Sequence, residues 1–267
     1  MRVLLTGSTG LIGSGMLKSA PSGVFITTVG RDAPQGVYDA IIHMAGYAQP
    51  MKFMADEIET IEVNTTRLIE LFKHLKVGGK FLYASSSEVY NGTPPPQTED
   101  MIGTTTPQHH RACYIEGKRC GEAICMAYRR LGYDVKIARI SLTYGATKKG
   151  DTRALNHFIE QGLEGEIKLM DKGEAKRTYL YIDDAVSILW DILLKGTQAV
   201  YNVGGTSRVT IADLALKIGE LTGATVTFGD KGLDGAPNDV QSDITRILEE
   251  FGPREFISLE EGLKKMI

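Results

Sequence analysis

A glycine-rich loop directly after the first apolar run constrains the fold more than any other feature of this sequence. The chain begins MRVLLTGSTGLIGS, so Gly7, Gly10 and Gly13 stand three residues apart after a short strand-like segment. Glycine permits a tight strand-to-helix turn, and a helix N-terminus presents N–H groups and a favourable dipole to a pyrophosphate. At the start of an alternating chain, this loop predicts dinucleotide binding rather than a purely structural turn.

Strand-like apolar runs alternate with helical segments along the chain, as is typical of a parallel doubly wound sheet. The predicted strands are Val3 to Thr6, Val24 to Val29, Asp39 to Met44, Lys80 to Ala84, Val135 to Ile140 and Val200 to Val203. We therefore predict an α/β fold of Rossmann type with a smaller C-terminal substrate lobe. Residues 1–140 and about 181–203 would form the dinucleotide-binding domain, and about 141–180 and 204–267 the lobe.

Two stretches have apolar residues at helical spacing. The stripe of the first stretch is Ile58, Ile61, Thr65, Leu68, Phe72 and Leu75, and that of the second is Cys120, Ile124, Ala127 and Leu131. We expect both stripes to pack on the sheet, with a dimer seam made by the other helix faces as the alternative.

Charge and cysteine content exclude several classes of protein. The formal net charge of −3 gives no large basic footprint for nucleic acid. Cys113, Cys120 and Cys125 are odd in number and form no CxxC pair, which favours reduced thiols over disulfides or a metal site. The N-terminal apolar run is too short for a signal peptide, and no run approaches the about 18 residues of a membrane span. We expect a cytoplasmic protein without a metal, membrane or nucleic-acid partner.

The end of the second predicted strand, VGRDAP, bears on the cofactor. An acidic residue there usually binds the adenosine ribose, and an arginine accommodates a 2′-phosphate. Asp32 favours NAD, whereas Arg31 after Gly30 makes NADP possible, and both residues also suit an exposed turn.

Tyr114 and Lys118 stand four residues apart at the start of the second periodic stretch, so they share a helix face. A nearby ammonium stabilises a phenolate and lowers the tyrosine pKa from about 10. Tyr114 is therefore a candidate general acid or base near neutral pH.

These motifs occur in a familiar order along nearly the whole chain. Gly7-x-x-Gly10-x-x-Gly13, SSSEVY, Tyr114-x-x-x-Lys118, RTYLYIDD and YNVGG together resemble the extended short-chain dehydrogenase/reductase family of sugar-nucleotide epimerases and dehydratases. Within it, RACYIEGKRCGEAICMAY and HMAGYAQPMKFMADEIETIEVN most resemble UDP-glucuronate decarboxylases, with dTDP-glucose 4,6-dehydratases as close relatives. The resemblance implies a bound NAD, a nucleotide-sugar substrate and a homodimer.

The resemblance also assigns catalytic roles. Ser86 would bind the sugar 4-oxygen while Tyr114 takes the 4-hydroxyl proton and hydride leaves C4 for the nicotinamide. Ser87 and Glu88 match the Ser-Glu of decarboxylases, where dehydratases carry Asp-Glu, and Glu88 would be the acid/base near C5. For Ser85 we expect only a backbone hydrogen bond at the strand end.

Binding roles follow in the same way. Arg177 matches the arginine that holds the nucleotide diphosphate, and His43 is expected to be a packed strand residue. The predicted cofactor contacts are Gly7, Thr9, Gly10, Leu11, Ile12, Gly13, Arg31, Asp32, Ala45, Gly46, Tyr114 and Lys118.

Four features depart from the family pattern. Only a short turn joins the second strand to DAIIHM, where the family has another strand covering the adenine. Leu142 replaces a substrate-binding asparagine, Phe53 replaces a decarboxylase tyrosine, and GAPNDVQSD lacks the basic cluster expected near the sugar nucleotide. The redox residues are thus retained while substrate recognition is altered.

Three functions therefore stay open at this point. The first is an NAD(P)-dependent enzyme oxidising a nucleotide sugar at C4, with decarboxylation, epimerisation and dehydration considered in that order. The second is a net reductase or dehydrogenase of another small substrate, which Gly30-Arg31 and Leu142 favour. The third is a non-catalytic nucleotide-binding protein, which the presence of Ser86, Tyr114 and Lys118 disfavours.

Overall fold

The structure is a computed structural model that describes residues 1–146, 149–231 and 239–267. Its strands are β1 (Arg2–Thr6), β2 (Phe25–Val29), β3 (Tyr38–His43), β4 (Leu75–Ser86), β5 (Asp134–Ile140), β6 (Leu142–Tyr144), β7 (Glu166–Leu169), β8 (Lys176–Tyr181), β9 (Val200–Val203), β10 (Ser207–Thr210), β11 (Thr225–Phe228) and β12 (Asp239–Val240). Its helices are α1 (Leu11–Lys18), α2 (Pro50–Ala55), α3 (Glu57–Asn64), α4 (Thr66–Phe72), α5 (Ala112–Arg130), α6 (Ala154–Leu163), α7 (Ile182–Lys195), α8 (Ile211–Thr222), α9 (Thr245–Phe251) and α10 (Leu259–Lys264). A short 3-10 turn, Ser87–Tyr90, directly follows β4.

A six-stranded parallel sheet forms the larger layer, in the order β2-β1-β3-β4-β5-β9. Successive residues of a strand point to opposite faces, so β1 buries Val3 and Leu5 on one side and Leu4 on the other. Helices α1 and α7 pack on the first face, and α4 and α5 pack on the second. Coverage of both faces by helices confirms the predicted Rossmann-type α/β fold.

The remaining strands form two smaller sheets in the C-terminal half. Strand β8 pairs with β6, β10 and β12, and β11 pairs with β7. An apolar cluster separate from those of the large sheet joins α6, α8 and α10 to these strands. Strand β9 returns to the large sheet beside β5, and the exact division into domain and lobe stays a prediction.

Neither periodic stripe packs wholly on the sheet, so that expectation is wrong in part. The first stretch is not one helix, since α3 and α4 are separated at Thr65, whose backbone angles (φ −126°, ψ −86°) are not helical. Leu68 and Phe72 are buried, but Ile58 is 68% exposed. On α5 the buried face carries Lys118, Gly121, Glu122 and Cys125 instead, and the predicted stripe is largely exposed, with Leu131 at 74%.

The described residues also bear on membrane and metal binding. Within 1–146, 149–231 and 239–267, no helix is both long and apolar enough to cross a membrane. The same ranges contain no group of three or more His, Cys, Asp or Glu side chains arranged to hold a metal ion.

Candidate active site

The glycine loop brings β1, α1 and the end of β3 into close backbone contact. Gly7 has a φ of +72°, and a Cβ there would lie 2.5 Å from the Met44 carbonyl carbon. A Cβ at Gly13 would lie 2.1 Å from the Gly7 carbonyl oxygen. Side chains are therefore excluded at both positions, and the loop backbone is bare.

The N-terminus of α1 can accept an anion. Gly10 is its N-cap residue and supplies no side-chain hydrogen bond to the helix. The N–H groups of the first turn, which includes Leu11, Ile12 and Gly13, have no intrahelical partner and carry the positive end of the helix dipole. Thr9 lies in the loop just before them. This arrangement fits the pyrophosphate of a dinucleotide.

Residues at the end of β3 and just after it form hydrogen bonds with Thr6 at the end of β1. The Ala45 N–H donates to Thr6 Oγ1 at 3.2 Å, and Thr6 Oγ1 also bonds His43 Nδ1 at 2.7 Å. His43 is buried, its Nε2 lies 2.9 Å from the Val63 carbonyl oxygen, and burial lowers its pKa to about 4. His43 is therefore a packed strand residue, as expected.

Gly46, which follows β3, lies beside α5, the helix that carries Tyr114 and Lys118. Its φ is +134°, and a Cβ at this position would lie 3.9 Å from Lys118 Nζ. Gly46 therefore lies close to the first two turns of α5. The contacts of Ala45, Gly46 and the start of α5 with the cofactor stay a prediction.

The adenosine end of the predicted cofactor site is exposed. Strand β2 is the edge of the sheet, and residues 30–37 contain no further strand before β3. Arg31 and Asp32 are both exposed, and a Cβ at Gly30 would meet no atom within 4 Å. The structure therefore has the short connection noted in the sequence, and it does not choose between a ribose contact and a 2′-phosphate contact.

Tyr114 and Lys118 are buried on one face of α5 and approach the end of β4. Lys118 Nζ donates to the Ala84 carbonyl oxygen at 2.7 Å and lies 5.7 Å from the Tyr114 ring centroid. Burial lowers the Lys118 pKa to about 8. The two residues are therefore brought together as their spacing predicted.

The expected lowering of the Tyr114 pKa is wrong for the chain itself. That pKa is raised to about 12, chiefly by burial and also by the Glu88 charge. Hydrogen bonding by the Ser86 side chain and the charges of Arg111 and Arg153 act in the opposite direction. Spacing along a helix identifies the pair, but desolvation of the phenolate outweighs its neighbouring cations.

Ser86 is the last residue of β4, where parallel strands present their carboxyl ends to ligands. Its Oγ accepts a hydrogen bond from the Glu88 N–H at 3.2 Å, and the Ser86 side chain also hydrogen-bonds Tyr114. Ser87 and Glu88 lie on the following 3-10 turn and line a small cavity together with Asp239. The structure thus collects Ser86, Ser87, Glu88 and Tyr114 in one region.

Beneath this region lies a buried ion pair that the sequence did not reveal. Arg139 of β5 donates to both carboxylate oxygens of Glu122 at 2.9 and 2.7 Å. Ser85 also donates to Glu122, so the backbone bond expected for Ser85 is wrong. Arg139 donates further to the Tyr90 hydroxyl, which itself donates to Asn202. This network joins β4, β5, β9 and α5 under the site; the position of Glu122, four residues after Lys118, was its only signal.

Arg111 was also missed, although it stands one helical turn before Tyr114. Its Nη2 donates to Glu88 Oε1 at 2.6 Å, and its guanidinium carbon Cζ lies 5.3 Å from the Phe53 ring centroid. Phe53 is 1% exposed and stacks on the Tyr114 ring, with centroids 4.6 Å apart and planes 11° from parallel. The phenylalanine noted in the sequence as lacking a hydroxyl is therefore a packing partner of Tyr114.

Arg177, the predicted diphosphate-binding residue, lies on β8, outside the large sheet. Its guanidinium donates to the Lys176 carbonyl oxygen at 2.8 Å, and burial lowers its pKa. Glu88, Arg111 and Asp239 are among the charges that act on it. Its contact with a diphosphate stays a prediction.

Two of the departures from the family pattern, Leu142 and the GAPNDVQSD segment, can be located in the structure. Leu142 lies on β6 opposite Tyr179 and packs against the C-terminal apolar cluster. The GAPNDVQSD segment spans 235–243, of which residues 235–238 lie outside the described residues. From its described part, Asp239 pairs with Arg208.

The model of the NAD dependent epimerase/dehydratase family matches residues 29–204, about two thirds of the chain. This chain belongs to the NAD dependent epimerase/dehydratase family. Membership confirms both the predicted family and NAD as the predicted cofactor class. In this family member, the glycine loop without side chains and the N-terminus of α1 fit the cofactor pyrophosphate.

Sequence relatives of this family member include decarboxylases. It is 32% identical to UDP-glucuronic acid decarboxylase 1 of Xenopus tropicalis, over 100% of this chain and 71% of that protein. It is 30% identical to UDP-glucuronic acid decarboxylase 6 of Arabidopsis thaliana, over 100% and 88%. The first alignment is 301 residues long, so the relative has segments that this 267-residue chain lacks.

Among solved structures, the fold is similar to that of the dTDP-glucose 4,6-dehydratase DesIV from Streptomyces venezuelae, solved with NAD bound. The TM-score is 0.85 at 22% identity, covering 100% of this chain and 95% of that one. This likeness supports the Rossmann-type fold of the family member.

Proposed function

We propose that this protein is an NAD(P)-dependent enzyme that oxidises a nucleotide sugar transiently at C4, and that its reaction is decarboxylation of a UDP-glucuronate. One observation carries the proposal: Ser86, Tyr114 and Lys118 meet at the carboxyl end of β4 beside the glycine loop, with Glu88 next to them. The relatives named UDP-glucuronic acid decarboxylases support this choice of substrate.

The first chemical step removes a proton from the C4 hydroxyl group of the sugar and a hydride from C4 itself. Tyr114 accepts the hydroxyl proton, and Ser86 donates a hydrogen bond to the same oxygen. When bound, NAD+ would accept the hydride from C4 and add a positive charge near the phenol. Lys118, whose pKa is about 8, is largely cationic at neutral pH and favours the tyrosinate. The sugar leaves this step as a 4-ketone.

The second step follows from the position of that ketone. A C5 carboxylate is β to the C4 carbonyl, so cleavage of the C5–C6 bond releases CO2 and leaves its electron pair as an enolate. A proton must then be delivered to C5. That proton comes from solvent, and Glu88 suits the role of relaying it to C5 because it lies on the 3-10 turn, next to Ser86 and close to Tyr114. Return of hydride to C4 and of a proton to its oxygen completes a redox-neutral cycle.

Epimerisation and dehydration are the alternatives that use the same first step. Leu142 and Phe53 replace an asparagine and a tyrosine expected from the resemblance to take part in substrate recognition. Ser87 stands where a dehydratase carries an aspartate. A net reductase that exchanges NADPH is a second candidate function, because the adenosine end at Gly30, Arg31 and Asp32 is exposed at the sheet edge. A non-catalytic binder is disfavoured, since binding does not require a buried proton-transfer set.

Release and identification of the cofactor, followed by a product assay, test the proposal. The purified protein is denatured and any released dinucleotide is identified by mass. The native protein is then incubated with UDP-glucuronate and assayed for CO2 and a UDP-pentose. Bound NAD with pentose formed supports the decarboxylase; released NADP, or no product, favours a reductase or another sugar nucleotide.

We also propose that the protein is a cytoplasmic homodimer. Support for the dimer comes from the exposed apolar side chains of α3 and from the stripe of α5 that does not pack on the sheet, including Ile58 and Cys120. Sedimentation of the wild type and of Ile58→Lys would test this, with the variant expected to dissociate.

A further inference from the structure

Arg111 contacts three elements at the candidate active site. It lies at the N-cap position of α5, and its carbonyl oxygen accepts hydrogen bonds from the Tyr114 and Ile115 N–H groups, both at 3.1 Å. Its backbone therefore belongs to the same turn as Tyr114. Its side chain reaches away from that turn to the 3-10 turn after β4 and to α2.

The contact with the 3-10 turn is an ion pair shielded from water. Arg111 Nη2 lies 2.6 Å from Glu88 Oε1, and the two side chains are only 12% and 19% exposed. Glu88 Oε2 lies 3.5 Å from Asn91 Nδ2, which is a long contact. Charge-assisted bonds in a low-dielectric site are strong and directional, so Arg111 determines where the Glu88 carboxylate points.

The contact with α2 is a stack of three groups. The guanidinium lies over one face of Phe53, and Phe53 stacks on Tyr114. Phe53 does not depend on Arg111 for its own position, because its carbonyl oxygen accepts hydrogen bonds from Thr60 Oγ1 and Cys113 Sγ. Loss of the guanidinium would therefore release Glu88 but leave Phe53 against Tyr114.

We propose that Arg111 is a positioning residue that holds the Glu88 carboxylate in place for the proton transfer at C5, the step that follows oxidation at C4. This inference rests on the proposed function and deepens it. It separates the two half-reactions: Ser86, Tyr114 and Lys118 carry out the first, which Arg111 influences only through its charge, whereas Glu88 requires Arg111 for the second.

Single-turnover kinetics with the NAD-loaded enzyme test this separation. The enzyme is mixed with UDP-glucuronate, UDP-glucose and dTDP-glucose in turn, enzyme-bound NADH is followed by absorbance, and product is quantified. Arg111→Met is expected to form NADH at a modestly lower rate, because the Arg111 charge lowers the Tyr114 pKa, whereas the rate of product formation falls about 100-fold, as for loss of a general acid or base. Bound NADH should therefore accumulate, and Arg111→Lys should restore part of the second rate.

Arg254 provides a matched control. It also pairs with one carboxylate, that of Asp191, at comparable exposure, and its guanidinium carbon lies 6.0 Å from the Phe251 ring centroid. In both arginines the buried Nε lacks a hydrogen-bond partner among the described residues. Because Arg254 contacts none of the site residues, Arg254→Met should leave both half-reaction rates unchanged even if it lowers the melting temperature.

A double-mutant cycle completes the test. Glu88→Gln should show the same NADH accumulation, and Arg111→Met/Glu88→Gln should be no slower than Glu88→Gln alone, because the two residues act as a unit. An equal fall in both half-reactions, additive losses, or the same phenotype in Arg254→Met would overturn the inference. If the parent reduces its cofactor with none of the three sugars, the proposed function itself fails, and the role of Arg111 fails with it.

Discussion

The two ends of the predicted cofactor site differ in how far they are enclosed. At the catalytic end, Ser86, Tyr114 and Lys118 are all buried among β4, α5 and the 3-10 turn. At the adenosine end, β2 is an edge strand and Arg31 and Asp32 face solvent. Proton and hydride transfer benefit from a dry, preorganised site, whereas adenosine binding tolerates water. The short connection between β2 and β3 therefore lies where exposure to water interferes least with the chemistry.

The largest effect is expected at the enclosed end, from Tyr114→Phe. Removal of the hydroxyl eliminates the proton acceptor for C4 oxidation, so turnover should fall about 1,000-fold or more. NAD affinity, measured by titration calorimetry, should change little because the ring and its stack on Phe53 remain. Activity retained in the variant would contradict both the mechanism and the contrast between the two ends.

Enclosure also predicts a pH dependence of stability through His43. Its pKa is about 4 in the folded chain, against about 6.5 for an exposed histidine, because burial disfavours the imidazolium. Between these values the unfolded chain binds a proton that the folded chain does not. The free energy of unfolding should therefore fall by about 3 kcal/mol as pH drops from 6.5 to 4.

Urea denaturation at several pH values measures this dependence. His43→Gln should be less stable at neutral pH, since it loses the bonds to Thr6 and Val63. Its stability should nevertheless vary less with pH over the same interval. A slope unchanged by the substitution would mean that other groups dominate acid unfolding.

Two glycines of the cofactor site compare the ends directly. Gly13→Ala places a Cβ against the Gly7 carbonyl oxygen, and displacement of the loop should weaken NAD binding by about 2 kcal/mol, roughly 30-fold. Gly30→Ala is the control, because its Cβ meets nothing within 4 Å and its φ is not positive. Equal losses in both variants would show that the adenosine end is as tightly built as the loop.

The smallest effects are expected from Arg31→Ala and Asp32→Ala. Exposed charges contribute about 1 kcal/mol or less, so each change should alter dinucleotide affinity by no more than about 5-fold. Weaker NADP binding in Arg31→Ala would assign a 2′-phosphate contact, and weaker NAD binding in Asp32→Ala a ribose contact. A loss of 100-fold in either variant would contradict an open adenosine end.

Much of the fold was predictable because its signals are local. Strand β9 has its predicted bounds, β1, β2 and β5 differ from theirs by one residue at one end, and β3 differs by one residue at each end. The stripes on α3 and α5 misled for a physical reason: spacing shows that residues share a helix face but not which face meets the sheet. Small residues such as Gly121, next to the Tyr83 ring, mark the buried face of α5 as well as large ones do.

The sequence by itself determined the glycine loop, the alternation of strands and helices, and the pairing of Tyr114 with Lys118, because each depends on residues close in the chain. Only the tertiary structure decided that Glu88 meets Arg111, that Phe53 stacks on Tyr114 and that Ser85 bonds Glu122. It also decided the sign of the Tyr114 pKa shift, since desolvation depends on everything packed around a group. Contacts between residues distant in the chain, and the water they exclude, are set by packing rather than by local pattern.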